Sequence, residues 1–283
     1  MMILMTGSTS FIGRHLIPLL ENAGHDVYHL VREKKGFQQE FIWDLKGLLP
    51  KNLPVCDAVV HLAAYVDFTN EMKIGQYLVN TLSTASLVRY CQETDASIIF
   101  ASMIGVHGNQ KHIFVNSSIS PTNHYGMSKY LAEQIVRIFG VNAYILRIAG
   151  IYGLNGPAHL GLNAAITNAI RYKKAPILRG PGNGKRNYIC VKDVAGWIFQ
   201  LIQTLKREKL GDRRKTETLY LAGPENITIE QYLQNILEIL LPGEQIVFQE
   251  GQASEDCLVE KSPPPFPLTR FRDYLSGLKQ QKS

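Results

Sequence analysis

Tyr125 and Lys129 stand four residues apart in His124-Tyr125-Gly126-Met127-Ser128-Lys129. On a helix, side chains at i and i+4 share one face. An ammonium beside a phenol stabilises the phenolate and lowers its pKa toward neutrality, which makes the pair a usable general acid/base. Near the start of the chain, a short apolar run enters Thr6-Gly7-Ser8-Thr9-Ser10-Phe11-Ile12-Gly13. A glycine-bearing turn between a strand and a helix can hold a pyrophosphate on the free N–H groups of the helix N-terminus. Taken together, the two segments read as hydride-transfer chemistry.

The spacing alone is not specific. With 13 tyrosines in the chain, roughly one Tyr-x-x-x-Lys is expected by chance when template matches are counted. A second one does occur, from Tyr188 to Lys192. Context separates them. Tyr125 and Lys129 are followed by Tyr130, Leu131, Ile135 and Ile138, an apolar stripe at helical spacing. Tyr188 opens Tyr188-Ile189-Cys190-Val191, an apolar run of the kind that forms a short strand.

In the glycine turn, Gly7 permits the tight bend and Gly13 allows close packing of helix on sheet. Cofactor choice turns on the end of the next strand. An acid there binds the ribose diol of NAD, whereas an arginine accommodates the extra phosphate of NADP. The sequence is His29-Leu30-Val31-Arg32-Glu33. Val31 supplies no carboxylate and Arg32 supplies a fork suited to phosphate. NADP is favoured, with NAD left open by the neighbouring Glu33.

These residues need a scaffold that places them at one edge. Strand-like runs occupy residues 3–6, 27–31, 58–62, 97–101 and 143–147, with helical patterns near 12–23, 71–93 and 125–139. Alternation of this kind predicts an α/β, doubly wound parallel sheet of the Rossmann type, covered on both faces. Ligands in such sheets bind at the carboxyl ends of the strands. After Arg147 the texture changes to loops rich in Gly, Pro and Asn, such as Gly180-Pro181-Gly182-Asn183-Gly184. Helical patterns near 161–172 and 194–205 interrupt these loops. Thr228 and Gln231 form a capping-box signature opening a helix through Leu240. Residues 1–150 are expected to form the dinucleotide-binding domain, with a segment near 176–205 returning to it. Residues 151–283 are expected to form a smaller, mainly substrate-binding region.

At 283 residues, 45% hydrophobic and 19% charged, the composition is that of a soluble globular chain. No apolar stretch is long enough to span a bilayer. Four scattered cysteines lack metal-like spacing, which points to buried thiols in the cytoplasm and to no metal site. The net charge of +6 is spread in short basic runs. Nucleic acid is therefore not an expected partner, and the excess positive charge suits solubility and a phosphorylated small substrate alike.

Further motifs follow in order along residues 3–195. Asp44-Leu45, His61-Leu62-Ala63-Ala64, Val79-Asn80-Thr81, Ser102 through Gly108, Leu146-Arg147 with Tyr152-Gly153, and Arg186-Asn187-Tyr188-Ile189-Cys190-Val191-Lys192-Asp193 join the turn and the Tyr125–Lys129 helix. In this combination the chain resembles an extended short-chain dehydrogenase/reductase of the nucleotide-sugar epimerase/dehydratase type. The resemblance implies cofactor contacts from Gly7, Ser10, Phe11, Ile12, Gly13, Asp44, Leu45, Leu62, Ala63, Ala64 and Lys129. It assigns Arg186 to a substrate diphosphate and His107, at the family's Tyr-Gly position, to the substrate. It also implies a homodimer built on the helices that carry Asn80 and Tyr125.

Three departures from the family pattern matter. The usual catalytic Ser/Thr position holds Met103, whose thioether cannot donate a hydrogen bond. Ser102 is one residue off, and neighbours in an extended segment point oppositely. It either rescues the role through a twist of the strand end or bonds backbone. Ile104 and Gly105 stand where family 4,6-dehydratases carry Asp-Glu, so dehydration is disfavoured. Gly150 replaces a substrate-contacting Asn. The expected activity is therefore reduction or epimerisation of a nucleotide-linked ketosugar, with Tyr125, Lys129 and Ser102 as catalytic candidates. The alternative is a catalytically impaired dinucleotide sensor of the same fold.

Overall fold

The computed structural model describes residues 1–69, 71–207 and 215–281. It divides into two compact units, one comprising residues 1–108, 118–148 and 195–219, the other 109–117, 149–194 and 220–283. Apart from the excursion 109–117, the chain leaves the first unit after residue 148. The segment that returns to it is 195–219.

The first unit is built on a seven-stranded sheet. Strands β1 (Met2–Thr6), β2 (Asp26–Val31), β3 (Glu40–Ile42), β4 (Ala58–His61) and β5 (Ser97–Met103) are joined by strands Ala143–Ile148 and Thr216–Leu221. From one edge the order runs Thr216–Leu221, Ala143–Ile148, β5, β4, β1, β2, β3. The pairings among β1–β5 and Ala143–Ile148 are parallel, with Thr6 opposite Leu30 on one side and His61 on the other. Ile3, Leu4 and Met5 are all fully buried, as expected for a strand covered on both faces. The order reverses at β1, between β2 and β4, which is the switch point where such sheets open a crevice for ligands.

Helices α1 (Gly13–Asn22), α3 (Ser83–Thr94) and α4 (His124–Ile138) pack on this sheet. Leu87 and Val88 of α3 and Ala132 and Val136 of α4 join Leu4, Val59, Ile98 and Ile145 in one core cluster. The helix expected over 71–93 is interrupted. A short α2 (Ile74–Tyr77) runs into a π-helical turn, Leu78–Leu82, before α3. Such π turns are commonly found at functional sites. Two sheet strands escaped the sequence pattern. Glu40–Ile42 has only three residues and no buried position, and Thr216–Leu221 is buried at just its last two.

The second unit carries α5 (Gly161–Tyr172), α7 (Ile229–Leu240) and α8 (Phe271–Gln280), while α6 (Val191–Arg207) runs across the division of the chain. Thr228 and Gln231 form the expected capping box on α7. The core of this unit is aromatic: Tyr152, Tyr232 and Phe271 meet edge-to-face at centroid distances of 4.9–5.0 Å. Helix α8 was not visible in the sequence pattern. It buries Phe271, Tyr274, Leu275 and Leu278 on one face. Among the described residues, no helix is long and apolar enough to cross a membrane.

Candidate active site

Three strand ends and helix α4 converge in the first unit. Thr6, the last residue of β1, places its Oγ1 2.7 Å from Nδ1 of His61, the last residue of β4. Thr6 Oγ1 also accepts from Ala63 N at 3.2 Å. The His61 ring packs on Phe100 of β5 at 5.5 Å. Lys129 Nζ lies over that same Phe100 ring, 4.1 Å from its centroid. One chain of contacts thus links the glycine turn to the lysine of α4.

The turn fits a dinucleotide. Gly7 has φ +73°, and a Cβ there would stand 2.7 Å from Ala63 N. A Cβ on Gly13 would run into the Gly7 carbonyl oxygen. Both positions must be free of side chain for the strand to turn straight into α1. Ser10 stands between the two glycines, and its Oγ accepts from Gly13 N at 3.0 Å. Phe11 stacks edge-on to His15 at 5.9 Å. Beneath the turn, Ser8 Oγ meets Nδ1 of buried His29 at 2.7 Å, and the His29 ring stacks on Phe37 at 4.0 Å. Burial pushes His29 down to about 4, so it is neutral near pH 7. Sequence reasoning missed His29; a histidine inside the apolar run Val27-Tyr28-His29-Leu30-Val31 was the available signal.

The remaining cofactor candidates are spread along the same unit. Arg32 is exposed directly after β2, whereas Val31 is buried. Asp44 accepts from the backbone N–H of Lys46 and Gly47 at 2.9 and 3.3 Å. Leu45 is buried with φ +67°. Leu62 is buried, while Ala63 and Ala64 are partly exposed.

Asn123 caps α4, its Oδ1 accepting from Gly126 N at 2.8 Å. This fixes the first turn, which carries Tyr125. Asn80, buried in the π turn, clamps the neighbouring loop to that helix. Its Oδ1 accepts from Tyr65 N at 2.7 Å, and its Nδ2 donates to Tyr65 O and to Ser128 Oγ. Lys129 is buried, and no hydrogen bond reaches its Nζ among the described residues. Desolvation pushes it down to about 7, against an opposing pull from Glu133 one turn later. Desolvation also pushes Tyr125 up to about 12. Burial alone accounts for the rise at Tyr125, opposite in direction to the phenol lowered by its lysine that the sequence suggests.

Ser102 Oγ is engaged inside the protein. It is buried and donates to Glu133 Oε1 at 2.5 Å. Its partner is a carboxylate on α4, not the backbone group expected as one alternative. Glu133 is fully buried and takes Arg147 Nη2 at 2.7 Å and Nε at 3.1 and 3.3 Å. Arg147 Nη1 then meets His107 Nε2 at 3.2 Å, and His107 Nδ1 meets Ser118 O at 2.9 Å. His107 is completely buried, with both ring nitrogens engaged inside the protein. The network Ser102–Glu133–Arg147–His107 was not found from sequence, because a lone Glu on a helix ordinarily reads as solvated. Met103 lies beside Gly105, whose missing Cβ leaves room for the thioether.

In the second unit, Arg186 Nη1 donates to Lys185 O at 2.9 Å and to Glu255 O. Asn187 is buried and bonds both N and O of Val259. Gly150 has a physical reason to lack a side chain, since a Cβ there would enter the Tyr188 ring, which packs against Tyr232 at 5.2 Å. The second Tyr–Lys spacing is thus split between a packed core tyrosine and exposed Lys192 at the start of α6.

A Rossmann sheet with a glycine turn at its switch point and a buried lysine one turn after a tyrosine defines an extended short-chain dehydrogenase/reductase. Residues 3–213 match the model of the NAD dependent epimerase/dehydratase family, and the chain belongs to that family. It is 30% identical over 217 residues to a protein named as a UDP-glucose 4-epimerase in Methanocaldococcus jannaschii, covering 69% of this chain and 71% of the other. It is 29% identical over 259 residues to the GDP-6-deoxy-D-talose 4-dehydrogenase of Aggregatibacter actinomycetemcomitans, covering 84% and 80%. Its fold is similar to that of UDP-glucuronic acid 4-epimerase from Bacillus cereus in complex with NAD. The TM-score is 0.78 at 18% identity, over 99% and 96% of the two chains.

Proposed function

We propose that this protein is an NAD(P)-dependent oxidoreductase acting at a secondary alcohol or ketone of a nucleotide-linked sugar. The observation that carries the reading is the contact chain Thr6–His61–Phe100–Lys129, which ties the dinucleotide turn to the helix bearing Tyr125. What the dinucleotide supplies when bound is the hydride donor or acceptor. Tyr125 gives a proton to the substrate oxygen on reduction and takes it back on oxidation. Lys129 holds a ribose hydroxyl and, when charged, stabilises the phenolate. A reaction at the sugar C4 is the reading that the names of both relatives, a UDP-glucose 4-epimerase and a GDP-6-deoxy-D-talose 4-dehydrogenase, support.

Between reduction and epimerisation, exposed Arg32 with no acid at Val31 favours a phosphorylated dinucleotide used as reductant, although the family itself is NAD-dependent. Ile104 and Gly105 cannot titrate, which disfavours water elimination. Arg186 is assigned to the substrate diphosphate, and residues 151–283 mainly to substrate. Leu131 and Ile138, exposed seven residues apart on α4, together with Leu82, support a homodimer through these helices. The family match and the buried lysine leave a sensor without turnover unfavoured.

The test mixes the purified protein with NADPH or NADH and a UDP- or GDP-linked 4-ketosugar, following absorbance at 340 nm. In parallel, UDP-glucose is assayed for conversion to UDP-galactose. Turnover in either assay supports the reading. Failure in both, with no nucleotide sugar found by native mass spectrometry of the protein as purified, overturns it.

A further inference from the structure

The loop after β4 is built, and it delivers an aromatic ring to the catalytic tyrosine. Asn80 holds both backbone polar groups of Tyr65. Buried Gln76 donates to Asp67 O at 2.9 Å and to Tyr65 O at 3.4 Å. The Asp67 carboxylate accepts from Thr69 N at 2.8 Å, Thr69 Oγ1 at 2.7 Å and Lys73 Nζ at 2.5 Å. Between these anchors Phe68 meets the Tyr125 ring at a centroid distance of 5.2 Å, the planes 87° apart. Phe68 nevertheless keeps 48% of its surface exposed. Exposure alone is ordinary for a hydrophobic side chain, and Tyr65 and Val66 of the same loop are exposed too; what sets Phe68 apart is its contact with the Tyr125 ring from an anchored loop.

We propose that Phe68 is a specificity-determining residue, at once a wall that keeps water from the Tyr125 phenol and a platform for the apolar face of a pyranose ring. The proposal rests on the nucleotide-sugar reading above. An aromatic face binds C–H groups through dispersion and its negative quadrupole, and a pyranose offers several axial C–H groups on one face. Aromatic side chains do this at low entropic cost, since two torsions fix the ring. The wall function agrees with the phenol standing at about 12 through desolvation alone. A smaller residue at 68 would let water reach the phenol.

Two measurements test this. The first is calorimetric titration of the NAD-loaded protein with UDP-glucose and with UDP, which lacks the sugar. Phe68→Ala should weaken UDP-glucose by about tenfold, equivalent to roughly 1.4 kcal/mol, leave UDP unchanged, and be rescued by Phe68→Trp. Equal weakening of both ligands, or no change in either, would overturn the platform. The second needs no substrate: ¹³C-tyrosine NMR of the free protein, with Tyr125 assigned by Tyr125→Phe. Phe68→Ala should move the Tyr125 titration down from about 12 toward an ordinary phenol. An unmoved titration would overturn the wall. If the wild type binds neither UDP nor UDP-glucose, the nucleotide-sugar reading fails and the phenol titration alone decides the role of Phe68.

Discussion

Arg147 and Lys129 are both buried cations held at helix α4, and they differ in what faces them. Arg147 forks onto the carboxylate of Glu133, which also receives the Ser102 hydroxyl. Lys129 sits one helical turn before Glu133, over the face of Phe100, with no hydrogen bond to its Nζ among the described residues. A buried charge that is fully paired fixes geometry, and removing its partner is expensive. A buried charge left without a direct partner moves its pKa instead, and Lys129 stands at about 7. Perturbation of that kind in a cleft marks a group used for chemistry. On one helix, Glu133 with Arg147 thus forms a paired foundation, and Lys129 with Tyr125 is the working face of the proposed reaction.

The comparison breaks first at Glu133. Glu133→Gln leaves the Arg147 guanidinium buried against a neutral amide, and chemical denaturation should report a loss of about 3–5 kcal/mol. A loss under about 1 kcal/mol would show the pair to be solvated and of little structural weight.

Lys129 should behave in the opposite way. Its folded pKa of about 7 lies below the unfolded value, about 10.4 for a free lysine. Between those values the unfolded chain binds the proton more tightly, so stability should rise with pH, by at most about 1.4 kcal/mol per unit. Below pH 7 both states are charged and this contribution is flat. Lys129→Met should abolish turnover and flatten the rise, as read from melting temperatures between pH 7 and 10. An unchanged pH slope would place the lysine in contact with solvent.

The smallest effect is expected at the surface. Arg32→Ala should lower the ratio of NADPH to NADH affinity by about tenfold at low salt, and less at high salt, because an exposed charge is screened. A constant ratio would make Arg32 an ordinary surface residue and direct the chain to NAD.

The sheet and the turn were legible because strand burial on both faces writes continuous apolar runs, and because Gly7 and Gly13 stand where backbone alone fits. The Tyr125–Lys129 helix was legible from its apolar stripe, which Tyr188–Lys192 lacked. The chemistry around it was not. Nothing local in the sequence says that Glu133 faces inward, because its partners Ser102 and Arg147 lie on two other strands, 31 and 14 residues away. The same holds for His107, whose place in a motif suggested a ligand contact while the fold put both its nitrogens into the network. Phe68 lies 57 positions before Tyr125, in a loop whose anchors, Gln76 and Asn80, belong to the helix that follows. Edge strands and α8 were missed for a different reason. Their burial is partial or one-sided and too short to set a period.

The most direct test of the division between working face and foundation is the rate of hydride transfer, followed at 340 nm on whichever nucleotide sugar the turnover assays identify, in Tyr125→Phe and Ser102→Ala. Loss of the proton donor in Tyr125→Phe should lower kcat by about 10²–10⁴-fold. Ser102→Ala should keep kcat within about tenfold of wild type, since its hydroxyl serves Glu133, and the loss of this hydrogen bond to a carboxylate, about 1.5–3 kcal/mol, should appear in stability instead. Full activity in Tyr125→Phe, or a collapse of kcat in Ser102→Ala equal to that of Tyr125→Phe with folding intact, would contradict the account.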